Sequence, residues 1–208
     1  MLCSNQGMLT PYDQFRITIA ATNILSALPA SATCVDVAGS PFFLLEGQPP
    51  VPLEPAFEDY VFMLYDTCDA VGLQGGECLY PTLMGDIGFN AVAVPCPPDW
   101  QVIIYDRRLS SIIGGGGAEI VIAHELGHIR CGHLTRDAVT PGEARVEELE
   151  ADAFAGASMQ LRGFPRDMFE DVLPILSEQP SLSHPAKDER LVALEKGYDD
   201  PEGYLCRR

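Results

Sequence analysis

Ile120-Val121-Ile122-Ala123-His124-Glu125-Leu126-Gly127-His128 is the stretch on which the reading of this 208-residue chain turns. Four apolar residues lead into two histidines four positions apart. In a helix that spacing puts both imidazoles on one face, one turn apart, where they converge on a common point. Zinc accepts such nitrogen ligands, and a catalytic zinc site keeps one coordination position open for water. Glu125, beside the first histidine, reaches that position and has the chemistry of a general base. A surface salt-bridge pattern, or two core histidines satisfied by hydrogen bonds, would give the same letters. Burying two His and a Glu among apolar residues without partners is expensive, however. One metal ion accounts for all three.

The third ligand has two candidates. His133 does not fit the HExxHxxGxxH spacing, because Leu134 holds the third-histidine position and Cys131 the glycine position. It reads as a surface residue or as support behind a ligand. Twenty residues beyond His128, Arg145-Val146-Glu147-Glu148-Leu149-Glu150-Ala151-Asp152 sets Glu148 and Asp152 one turn apart on a second helix. A carboxylate there completes a His₂Glu set, and a neighbouring acid can orient an imidazole through its free N–H. Glu147, Glu148 and Glu150 would ordinarily read as a solvated face. Ala151, Ala153, Ala155, Gly156 and Ala157 instead suit close helix packing, which two helices sharing one ion require.

Around this centre the expected architecture is α+β, mainly helical with a small sheet beside the active-site helix. The spacing predicts helices over about 11–28, 56–71, 118–131 and 141–161, with Thr140 as an N-cap, and shorter ones near 165–177 and 185–196. Strands are expected near 34–37, 42–45, 90–94 and 100–105, the last two as a hairpin. The Pro-rich stretch 48–55 reads as a connector unable to settle in helix or sheet, and Gly114–Gly117 as a flexible break. One domain over 1–208 is the economical organisation, with an N-terminal helical region over about 1–75 and a catalytic core over about 85–196.

Bulk composition excludes several classes of function. A formal net charge of −17, from 30 acidic against 13 basic residues, argues against nucleic acid or an anionic membrane surface as partner. No stretch approaches the roughly 20 apolar residues of a bilayer span, so a soluble protein is expected. Seven cysteines without a CxxC pair suit a few long-range disulfides with one thiol left over, or small buried hydrophobes. The count favours export, periplasmic or extracellular, over the cytoplasm.

HELGH followed by Glu148-Leu149-Glu150-Ala151-Asp152 resembles the HExxH…ExxAD signature of HtpX-type and CAAX-prenyl-protease-type gluzincin zinc endopeptidases. Asn90-Ala91-Val92-Ala93-Val94-Pro95 is similar to the family's NAFALP-like strand. Ser183-His184-Pro185, with Arg190 and Leu191, is similar to its closing STHP…RI segment. These segments follow the family's order over residues 90–194, about half of the chain. The resemblance implies a zincin-like fold and one catalytic Zn²⁺ held by His124, His128 and Glu148. It makes Glu125 the catalytic acid/base and Asp152 the support of a ligand. It places His184 or Arg190 near the reacting atoms as an oxyanion stabiliser. Trp100–Tyr105 would then be an edge strand for an extended peptide, or else a buried strand. Integral relatives carry membrane helices that this chain lacks, so membrane-embedded CAAX processing is not expected.

The function expected is a metalloendopeptidase acting on a peptide or protein substrate. Two alternatives stand beside it. One is a regulatory HELGH peptidase of the ImmA/IrrE type; the other is a proteolytically silent zinc-containing binding protein, against which the intact Glu125 speaks.

Overall fold

Alternation along two strands organises the β part of the molecule. Val92, Val94, Val102 and Ile104 share one face and pack with Phe43, Leu53 and Ile87. Ala91, Ala93, Ile103 and Tyr105 share the other and join Tyr60, Leu64, Ile122 and Leu126 in the main core. A sheet buried on both faces thus lies between a small sheet and the helices. The structure, a computed structural model, describes residues 32–37, 40–45, 49–96, 100–135 and 140–206. The helix expected over 11–28 lies outside them.

Strands β1 (Ala32–Val37), β2 (Ser40–Leu45) and β3 (Val51–Pro52) form an antiparallel sheet in that order. Strands β4 (Glu54–Pro55), β5 (Thr82–Gly85), β6 (Ala91–Cys96) and β7 (Trp100–Asp106) form a second sheet in the order β4-β5-β7-β6. The β6–β7 hairpin forms as expected, pairing Ala91 with Tyr105 and Cys96 with Trp100. One expectation needs correction. The Pro-rich connector does enter the sheets, as β3 and β4; both are outer strands, where a missing N–H is tolerated. Of the two readings of the Trp100–Tyr105 stretch, the buried strand is the one formed: β5 lies parallel on one side of β7 and β6 antiparallel on the other. The outer strand on that side is β6, which packs against the helix carrying His124 and His128.

Helix α1 (Glu58–Ala70) buries Tyr60, Leu64, Thr67 and Cys68 but leaves Phe57 before it and Tyr65 exposed. It is the one α-helix among the described residues of the expected N-terminal helical region, where four strands precede it. Helix α2 (Ser110–Cys131) starts earlier than predicted and kinks at Gly114, whose φ of 64° suits a residue without Cβ. Gly114–Gly117 is therefore a bend and packing surface instead of a loose break. A Cβ at Gly116 would collide with the Asp171 carboxylate. Helix α3 (Pro141–Leu161) begins with the expected Thr140 cap: the Thr140 Oγ1 accepts the Glu143 N–H at 3.2 Å, and Glu143 Oε2 accepts the Thr140 N–H at 2.8 Å. The helix predicted over 165–177 is a 3₁₀ segment, Arg166–Ile175, with Pro174 inside it. Proline lacks the N–H that an α-helical ladder needs there. Helix α4 (Lys187–Asp199) closes the core.

Glycines let these helices touch. A Cβ at Gly127 of α2 would sit 3.1 Å from the Ala151 backbone of α3, and one at Gly156 of α3 would meet the Leu194 carbonyl of α4 at 1.9 Å. Two disulfides among the described residues fasten the frame. Cys68–Cys78 closes a short loop after α1, and Cys131–Cys206 ties the end of α2 to the C-terminal segment 75 residues away. No helix among the described residues is long and apolar enough to cross a membrane.

Candidate metal centre

Close packing of α2 on α3 brings His124, His128 and Glu148 together. The two Nε2 atoms stand 3.1 Å apart; Glu148 Oε2 lies 3.5 Å from His124 Nε2, and Oε1 lies 3.4 Å from His128 Nε2. Ligands about 2.0–2.1 Å from one ion at tetrahedral angles stand roughly 3.3–3.4 Å from each other. The observed triangle matches that spacing. Glu148 Oε2 is buried and accepts no hydrogen bond among the described residues, which is costly unless something else meets it. These three residues form a group that can hold a metal ion. Donor type and spacing fit zinc.

Each imidazole is held from behind. His124 Nδ1 is 2.9 Å from Asp152 Oδ1, and Asp152 is gripped by Arg190, whose Nε and Nη2 each donate at 2.8 Å. His128 Nδ1 is 2.9 Å from His133 Nδ1, and His133 Nε2 is 2.9 Å from Glu150 Oε2. Asp152 thus stands where the sequence reading puts it. His133 is the residue that reading left undecided; it is buried, not on the surface. A signal existed in Gly132, the left-handed stop of α2 that turns the chain back, but no side-chain period announces it.

The charges favour a cation at the centre. Burial alone would lower the His124 pKa, but Asp152 and Glu148 outweigh it and push it up to about 10. Burial would raise the Glu148 carboxyl, yet the surrounding histidines hold it well below the ordinary carboxylate range. Asp152 is likewise held low by Arg190 against its burial. Two buried carboxylates held ionised, Glu148 and Asp152, give the site a negative field, which raises the His124 pKa and attracts positive charge.

Glu125 faces the same point from α2. Its Oε2 accepts the Ala93 N–H of β6 at 2.6 Å, and burial raises its pKa. A cleft opens beside it, lined by Leu109, Ile120, Val121, Val172 and Leu176 together with His124 and Glu125. His184 and Arg190 also line it. His184 Nε2 lies 3.5 Å from Glu148 Oε2, and its loop is locked: the His184 N–H donates to Ser181 Oγ at 2.8 Å and Ser183 Oγ contacts its Nδ1 at 2.9 Å. Arg190 commits two N–H groups to Asp152 and reaches only within 3.8 Å of Glu148. All seven residues singled out from the sequence therefore meet in one place, with Arg190 placed behind Asp152 as a support. No protein-family model, curated protein or solved structure matches the chain.

Proposed function

We propose that the chain is a zinc-dependent metalloendopeptidase of gluzincin type, similar to HtpX-type peptidases, with a zincin-like catalytic core. The observation that carries this reading is the triangle of two imidazoles and one orphaned carboxylate oxygen at tetrahedral spacing, with Glu125 buried beside it in the lining of a cleft. Zinc bound there would polarise a carbonyl and lower the pKa of water. Glu125 takes a proton from the attacking water and returns it to the leaving amine. The Ala93 N–H holds one of its oxygens, leaving the other to face the water. An extended peptide lies along β6, the outer strand of its sheet, and an apolar side chain fills the aliphatic cleft. His184, fixed by its loop and lining the cleft, is the group that donates to the developing oxyanion. Two disulfides support an oxidising, exported location.

Metal analysis and one substitution test this. The purified protein is expected to carry one zinc per chain. Glu125→Gln should keep that zinc and lose hydrolysis of a casein-like substrate by roughly 10²–10⁴-fold. No zinc, with no thermal shift on adding it, rejects the metal centre. Unchanged hydrolysis with zinc retained rejects the assigned base.

A further inference from the structure

The two histidines of the centre are supported unequally. His124 is backed by a buried carboxylate, the arrangement most often seen behind a metal-bound imidazole. His128 is backed by a second imidazole, and the carboxylate comes one step later, as the half-exposed Glu150. The His128 and His133 rings meet edge to face, with centroids 5.0 Å apart and planes at 74°. Gly132, at φ 78° and ψ 21°, reverses the chain so that His133 folds back onto the helix it has just left. The Cys131–Cys206 disulfide anchors the residue before that turn.

Proton positions follow from chemistry. When His128 Nε2 offers its lone pair to a cation, the remaining proton of the neutral ring sits on Nδ1. That N–H points at His133 Nδ1, which must then accept. His133 consequently carries its proton on Nε2, aimed at the Glu150 carboxylate 2.9 Å away. With the His128 proton on Nδ1, the Nδ1–H tautomer of His133 would set two protons against each other at 2.9 Å.

We propose that His133, oriented by Glu150, is a positioning residue that fixes the ring rotation and tautomer of His128 for cation binding. This rests on the metal-centre reading and adds to it a one-directional chain from His128 through His133 to Glu150. His133 touches neither substrate nor cation; it acts through His128.

Zinc affinity, measured by chelator competition on the full chain, reads this directly. His133→Phe keeps the ring volume and removes the acceptor, and should weaken zinc roughly 10–100-fold. His133→Asn, whose amide oxygen falls near the Nδ1 position, should recover most of that loss. His133→Gln, which places its amide near Nε2, should recover much less. Should the Phe variant fail to fold, the Asn–Gln pair decides, and equal zinc affinities overturn the proposal. Nitrogen-15 imidazole spectra of the zinc-loaded protein are expected to show His133 as the Nε2–H tautomer; the Nδ1–H tautomer overturns it. Wild-type affinity within twofold of His133→Phe also overturns it while leaving the metal centre standing. A wild-type chain that binds no zinc, by contrast, removes the centre itself.

Discussion

Asp106, at the end of β7, and Glu148, in the middle of α3, are both buried carboxylates, and their surroundings treat them in opposite ways. Asp106 Oδ2 accepts the N–H groups of Ile87 and Phe89 at 2.9 and 2.8 Å, and Arg108 donates to Oδ1 through its backbone N–H and Nε. Every lone pair is used, and the result is architecture. The loop before β6 is pinned, including Phe89 in a left-handed conformation at φ 58°, with Arg108 stacked 4.3 Å above its ring. Glu148 is nearly as buried, but its Oε2 accepts no hydrogen bond among the described residues and its neighbours are imidazoles spaced as ligands. A buried charge with all its hydrogen bonds made holds a fold together, whereas one left short, among groups that are also short, marks a place for something to bind.

Zinc separates the two most sharply. If free zinc is 100 to 1,000 times the dissociation constant, it should stabilise the wild-type protein by about 2.7–4.1 kcal/mol in denaturant unfolding. Glu148→Ala is expected to abolish that gain. Asp106→Ala should do the reverse, lowering stability by about 3 kcal/mol because three backbone N–H groups and a guanidinium lose their acceptor, while the zinc-dependent gain stays intact. Equal responses to zinc in the two variants would erase the distinction between them.

A smaller effect is expected where architecture and site share one contact. Gly156 of α3 packs against the Leu194 carbonyl of α4, four residues from Arg190, which holds Asp152. Gly156→Ala should cost about 2 kcal/mol by forcing α4 outward. Because α4 carries Arg190, zinc affinity should fall with stability. Loss of stability with zinc affinity unchanged would show that Arg190 follows Asp152 independently of the helix packing.

How much of this was legible in the sequence depended on how local each relation is. His124 and His128 are one helical turn apart, and Glu148 and Asp152 repeat the same interval, so helix periodicity alone brings out the ligand set. The run of small residues from Ala151 to Ala157 announced the close helix contact, and Thr140 before Pro141 announced where α3 begins. The sheets were less readable. Strand β5, Thr82–Gly85, is four residues long and gives no alternation to see. Its parallel pairing makes β7 central, a non-local fact no window contains. Pro52 and Pro55 read as breakers until they fall on outer strands. His133 escaped a firm reading because an interval of five residues has no helical meaning; a left-handed glycine is needed to turn it into a contact.

Acid supplies the finest test of the contrast. Burial alone would raise the Asp106 pKa, but the donors from Arg108 and Phe89 outweigh it and leave the folded-state value below the ordinary one. As pH falls, the unfolded chain therefore takes up this proton first. Between the unfolded value, about 4, and the lower folded one, the unfolded state binds more protons, and stability declines as pH drops. Above that window the contribution is fully present. The histidine-lined carboxylates of the zinc-free protein add slopes of the same sign, so the wild-type curve alone assigns nothing. Asp106→Asn isolates the term: its stability should start lower at neutral pH and fall less steeply below pH about 4, narrowing the gap to wild type. Two parallel curves would mean that Asp106 is not held ionised by its donors, and the saturated half of the comparison would lose its basis.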